Sequence, residues 1–78
     1  MGNEPLLEFS GYAAHRMHAR GITEAHVWFC VMKHTSEYKV GENEIVYQCQ
    51  LPDGRNIKVR VRDGSKNPIY VIDAFSFR

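Results

Sequence analysis

The spacing of apolar positions changes once along this chain. Residues 10–34 carry a helical period, and residues 37–78 carry a period of two. The first helix has clear ends. Ser10 is a predicted N-cap, and Gly21 is a predicted C′ residue in the left-handed conformation. With Gly21 at C′, Met17 becomes C3 and Ile22 becomes C″, the hydrophobic pair of a Schellman motif. Thr23 then caps a second helix over about residues 24–33, with Glu24 in the first turn, where the helix dipole favours an anion. Ile22 at N′ and Val27 at N4 are placed for a hydrophobic staple. This helix is apolar almost all round, the mark of a heavily buried segment. Periodicity alone would also admit a strand there; the caps decide for a helix.

Beyond Lys33 the pattern is that of strands. A short strand is expected over 37–40, a turn at Gly41-Glu42-Asn43, and a strand over 44–51 with Ile45, Tyr47, Cys49 and Leu51 on one face. Pro52-Asp53-Gly54 is a hairpin signal. Over 56–62 the alternation is clean: Ile57, Val59 and Val61 point in, and Lys58, Arg60 and Arg62 point out. After a turn over 63–68, residues 69–77 form a last strand that is apolar on both faces, which suits a central place. The expected fold is α+β: two N-terminal helices packed on one face of a three- to four-stranded antiparallel meander. The expected ordered core runs over about residues 9–77, with 1–8 as an N-terminal extension.

Length and composition narrow the class. The 78 residues leave room for a single domain, 1–78, whose core is thin, since chains of this size bury only roughly 60–65% of their unfolded surface. Apolar residues at 44% and charged residues at 24% argue against disorder, collagen-like repeats and coiled coils. The longest apolar run, from Val27 to Met32, falls far short of the roughly 20 residues of a membrane helix, so no membrane partner is expected. Glu4 and Pro5 precede any apolar stretch, which is not the pattern of a signal peptide, and Leu6 stands where a myristoylation motif needs Ser or Thr. Cys30 and Cys49 are too few for a disulfide scaffold and lack metal-ligand spacing; they read as reduced, buried thiols of a cytosolic protein. The same start also fits a fragment of a longer chain.

The net charge of +1 carries no whole-protein signature for nucleic acid, so any such signal must lie in the distribution. Tyr12, Arg16 and Arg20 stack at i, i+4 and i+8 on one helical stripe, with His15 beside it. Lys and Glu, the usual solubilising residues, are absent from that stripe, and Arg suits bidentate phosphate contact. Lys58, Arg60 and Arg62 make a second cationic row, whose mutual repulsion is relieved either by an anionic partner or by Glu37, Glu42 and Glu44. Both rows also read as ordinary solvated faces. Asp73, the one acid in a strongly apolar strand, reads as the partner of an Arg or as a catalytic base. His34 suits dipole pairing at a helix C-terminus. His15 and His18 lack a third ligand, so neither a metal site nor a cofactor is expected.

The run from Phe9 to Thr23, FSGYAAHRMHARGIT, resembles the opening of the bacterial domain of unknown function 4258 family. Members of that family begin with a pattern close to F-x-x-H-A-x-x-R-M-x-x-R-G-I followed by Ser or Thr, and carry a D-G-R turn, here Asp53-Gly54-Arg55. The likeness spans most of residues 9–75 and is similar, at the level of the fold, to small bacterial toxins of the RelE and BrnT kind. One position departs: Tyr12 stands where the family has His. A phenol can donate a proton but is a poor base at neutral pH. Either His15, one turn on, substitutes, or Tyr12 marks a weakened or inactive form.

The resemblance implies a toxin-like, metal-independent endoribonuclease that cleaves RNA, such as tRNA or mRNA, by attack of the 2′-hydroxyl. Tyr12 or His15 would transfer protons, Arg16 and Arg20 would hold phosphate, and Lys58, Arg60 and Arg62 would bind substrate. An acidic antitoxin or immunity protein would cover the cationic faces, and the site of action would be the cytoplasm of the producing or a target cell. The competing expectation is a non-catalytic RNA- or protein-binding module of such a system, with Tyr12, Tyr47 or Tyr70 stacking on bases. A third is a structural role, with the Arg stripe held by internal carboxylates such as Asp73.

Overall fold

The computed structural model describes residues 6–77. Their order is β1 (Leu7–Phe9), α1 (Gly11–Arg20), α2 (Glu24–Lys33), β2 (Ser36–Val40), β3 (Glu44–Gln50), β4 (Asn56–Arg62) and β5 (Ile69–Phe77). The α+β class and both helices are as expected. The sheet differs: it has five strands in the order β1-β5-β4-β3-β2, and β1 runs parallel to β5 while the other pairs are antiparallel. The four later strands form the expected antiparallel meander, and β1, added parallel beside β5, makes the sheet five-stranded and mixed. The expected extension over residues 1–8 also ends earlier, because Leu7 and Glu8 pair with Ile69 and Tyr70; residues 1–5 lie outside the described chain. Three residues are too few to show a period, which is why β1 leaves no trace in the pattern. β5 is an interior strand, with β1 on one side and β4 on the other, and β4 stands at the middle of the sheet.

Local signals set the helices. The Ser10 side chain accepts from the Ala13 amide at 2.9 Å and donates to the Ile72 carbonyl at 3.0 Å, so the cap also ties α1 to β5. At the other end Gly21 has φ +66°, the Ile22 amide bonds the Met17 carbonyl at 2.9 Å, and the Gly21 amide bonds the His18 carbonyl at 3.3 Å. That is the Schellman pairing, and Gly is there because a Cβ is strained in the left-handed region. Thr23 opens α2 with a capping box in which His26 takes the place usual for Glu: the Thr23 amide donates to His26 Nδ1 and the His26 amide to Thr23 Oγ1, both at 3.1 Å.

The core lies between the helices and one face of the sheet. It holds Ala13, Met17, Val27, Cys30 and Val31 from the helices, Ile22 from their junction, and Ile57, Val59, Val61, Val71 and Ala74 from the sheet. Both staple residues, Ile22 and Val27, are buried in it. β1 pairs only with residues 69–71, and α1 packs on β5 beyond that point. There the helix straddles the strand's edge. Ala13 and Met17 enter the core, while Arg16 reaches Asp73 and Phe75, whose register partners Arg60 and Lys58 point to the opposite face. A bulge opposite Arg60 and Val61 sets Asp73 against Arg60 and Val71 against Val61, so β5 changes its aim where the helix crosses it.

Candidate functional site

The face of the sheet away from the core carries the chemistry. Alternation along β4 sends Lys58, Arg60 and Arg62 to this face, as expected, while Ile57, Val59 and Val61 fill the core. Aromatic residues from neighbouring strands interleave with the cations. Lys58 Nζ lies 4.8 Å from the Phe77 ring centroid and 5.9 Å from that of Tyr38. The Arg62 guanidinium lies 4.5 Å from the Tyr70 centroid. The Arg16 guanidinium, entering from α1, lies 5.1 Å from Tyr12 and 5.8 Å from Phe75. Lys58, Arg62 and Arg16 thus each lie over an aromatic ring, which offsets part of their repulsion, while Arg60 has no ring partner among the described residues. Val46 lies on this face between Tyr38 and Arg60 in register, yet it is buried, because long neighbours cover it.

Carboxylates answer some of these charges and leave others. Glu44 Oε1 takes the Nε of Arg60 at 2.9 Å and its Nη2 at 2.5 Å. The expected internal answer to the β4 row is therefore real for Arg60. Lys58 and Arg62 form no ion pair among the described residues. Arg60 is held as a structural pair, and Lys58 and Arg62 are the members of the row open to an anion.

Arg16 is the most constrained cation. Its Nε stands 3.4 Å from Asp73 Oδ1, and its Nη1 donates to the Tyr12 hydroxyl. Asp73 is 2% exposed, and its Oδ1 also accepts from the Ala74 amide at 2.8 Å. Arg16 Nε is itself buried with no hydrogen bond, so its tie to Asp73 is one of charge and proximity. The Arg-partner reading of Asp73 thus has its partner. Tyr12 is 57% exposed, and because its oxygen accepts from Arg16, its own O–H is free to donate outward. His15 and the Arg20 side chain are exposed on the same helix and join neither Arg16 nor the sheet through a hydrogen bond, ion pair or cation–π contact among the described residues. The stripe read from sequence is one helix face, but the fold assembles only its Tyr12–Arg16 half with the sheet.

Other expected roles find different outcomes. Tyr47 lies away from the cationic face. It packs on His34 with ring centroids 4.5 Å apart on the helix side of the sheet, and burial, with Glu37 and Asp63 nearby, pushes its hydroxyl above the usual phenol range. Its parity with Ile45 and Cys49 already placed it inward. His34 closes α2 through Nδ1 on the Val31 carbonyl at 2.9 Å and holds Glu37 at 3.1 Å. Cys30 and Cys49 are free and buried; desolvation, reinforced by the neighbouring Cys49 sulfur, pushes the Cys30 thiol well above its ordinary range. Among the described residues no group of three His, Cys, Asp or Glu is arranged to hold a metal ion, and no helix is long and apolar enough to cross a membrane.

Arg55 has a role that no spacing along the chain announces. Its Nη1 donates to the carbonyls of Arg20 at 3.4 Å and Gly21 at 3.2 Å, its Nη2 lies 3.4 Å from His26 Nδ1, and its Nε donates to Asp53 at 3.1 Å. A cation at the C-terminus of α1 meets unpaired carbonyls and the negative end of the dipole. The Asp53-Gly54-Arg55 turn is therefore docked on the Arg20-Gly21-Ile22-Thr23 junction. The two segments that carry the family resemblance are a single structural clamp. No protein-family model, curated protein or solved structure matches the chain, so the resemblance rests on those motifs.

Proposed function

We propose that the protein is a metal-independent endoribonuclease that takes single-stranded RNA across the open face of its sheet. The observation that carries this reading is the run of cations seated on aromatic rings, ending at the Tyr12–Arg16 pair. Unstacked bases find π faces at Tyr38, Tyr70, Phe75 and Phe77, and phosphates find Lys58 and Arg62, which are the ingredients of single-strand recognition. A duplex hides its bases and cannot use the rings.

Cleavage needs a base, an acid and a cation at the phosphate. His15 takes the proton of the ribose 2′-hydroxyl, and the 2′-oxygen attacks phosphorus. Arg16 stabilises the charged pentacoordinate phosphate, with Arg20 contributing from the same stripe. The bond to the 5′-oxygen breaks, and that oxygen takes the Tyr12 hydroxyl proton. The products are a 2′,3′-cyclic phosphate and a 5′-hydroxyl, and solvent returns the protons. Arg16 is suited to its part because Asp73 and Tyr12 fix it before substrate arrives. Similarity to the RelE and BrnT kind of toxin belongs to the same proposal. So do an acidic antitoxin or immunity protein covering this face and action in the cytoplasm of the producing or a target cell.

A second reading is a non-catalytic RNA- or protein-binding module. The observation that favours it is Tyr12 in place of the family's His, with His15 held by no partner among the described residues. Both readings require the face to bind. Fluorescence anisotropy with labelled single-stranded and duplex RNA of one sequence tests it. Tight, salt-sensitive binding to the single strand is expected, and Lys58→Ala and Arg62→Ala are each expected to lower the log–log salt slope by about 0.7. Equal binding to duplex and single strand would remove base stacking from the reading, and no loss in either variant would remove Lys58 and Arg62 from RNA binding.

A further inference from the structure

We propose that the outer edge of β2 pairs antiparallel with the same edge of a second copy of this chain, about a two-fold axis at Tyr38. β2 ends the sheet with β3 as its one neighbour among the described residues, and all five of its residues are exposed. Tyr38 and Val40 are 43% and 40% exposed. An uncovered edge of this kind is a template for strand addition.

The sequence of the edge selects the occupant. In an antiparallel pair centred on Tyr38, Glu37 lies opposite Lys39 of the second copy, and Lys39 opposite its Glu37. Symmetry makes both contacts at once. Opposite charges directly across an antiparallel pair are favourable, and like charges are not. Moving the axis by one residue to Glu37 or to Lys39 sets that charge against its own copy, so both adjacent registers are disfavoured. Glu37 and Lys39 already touch His34 at 3.1 Å and Asp63 at 3.3 Å, but their side chains are 51% and 59% exposed and remain available. The opposite edge has no equivalent, since β1 is three residues long. Joining two copies through β2 makes one continuous sheet and sets the two cationic faces side by side.

Sedimentation across a concentration series tests the pairing. A five-residue edge buries little area, so a weak dimer that fills at high micromolar concentration is expected. Glu37→Lys and Lys39→Glu each set like charges opposite one another and are expected to sediment as monomers. The double variant Glu37→Lys/Lys39→Glu restores opposite charges and is expected to recover the dimer, which a merely misfolded variant would not do. An equimolar mixture of the two single variants is expected to form the mixed dimer. A wild-type chain that stays monomeric over the series overturns the proposal. So does a dimer that survives both single reversals, a double variant without recovery, or a mixture that fails to associate.

Discussion

The Nε of Arg16 lies 3.4 Å from Oδ1 of Asp73, which is 2% exposed, so a helix cation on the rim of the open face is anchored by a carboxylate within the sheet. A double-mutant cycle with Arg16→Ala and Asp73→Asn in urea is expected to give a coupling of about 1–3 kcal/mol, because the single loss of Arg16 leaves a buried charge uncompensated. Arg16→Lys keeps the charge and is expected to recover part of the stability. Additive single effects would mean that the two groups do not interact.

The clamp formed by Arg55 gives a second expectation. Arg55→Ala removes donors from the carbonyls of Arg20 and Gly21 and is expected to cost about 1–2 kcal/mol in urea unfolding. Gly21→Ala, at φ +66°, is expected to cost about 1 kcal/mol. Neither change touches the open face, so RNA binding by the folded fraction should persist. Loss of binding in folded Arg55→Ala would make the turn part of the site.

Asp53 predicts a limb of the acid stability curve. The Arg55 backbone amide, and then its guanidinium, hold the Asp53 carboxyl below the usual carboxylate range. A carboxyl lowered on folding stabilises the protein above its unfolded range, and that contribution is lost as pH falls through the folded value. Asp53→Asn is expected to be less stable than wild type near neutrality, and the two curves should converge in acid. Parallel curves in urea unfolding across pH would contradict the assignment.

The buried thiols predict the opposite limb. Cys30 and Cys49 ionise in the unfolded chain before they do so in the folded one, so stability is full below the ordinary thiol range and falls as pH rises through it. At neutral pH neither thiol should react with a thiol reagent until the chain unfolds, after which both should. Rapid labelling of the native protein would show that the core opens locally.

What could be read in the sequence was local. Ser10, Gly21 and Thr23 announce the helix ends because capping acts within a few residues, and the alternation of β4 shows its two faces directly. β1 was hidden by its three-residue length, and with it the parallel pairing that makes the sheet mixed. The site was half legible. The cationic row on β4 and the stripe on α1 were visible, but not that Glu44 takes Arg60, that Asp73 takes Arg16, or that Phe75, Phe77, Tyr38 and Tyr70 seat the cations. Those relationships depend on register and on a bulge in β5, which no spacing along the chain encodes.

The proposed activity is cleavage of RNA on the open face at the Tyr12–Arg16 pair. It is tested most directly by incubating the purified protein with tRNA and total RNA in EDTA, beside Arg16→Lys, Tyr12→Phe and Tyr12→His variants, and resolving the products on a gel. Discrete fragments with 2′,3′-cyclic phosphate ends are expected from the wild-type protein, with cleavage slower by roughly 100-fold or more in Arg16→Lys and Tyr12→Phe and faster in Tyr12→His. Intact RNA with every folded variant, Tyr12→His included, would contradict it.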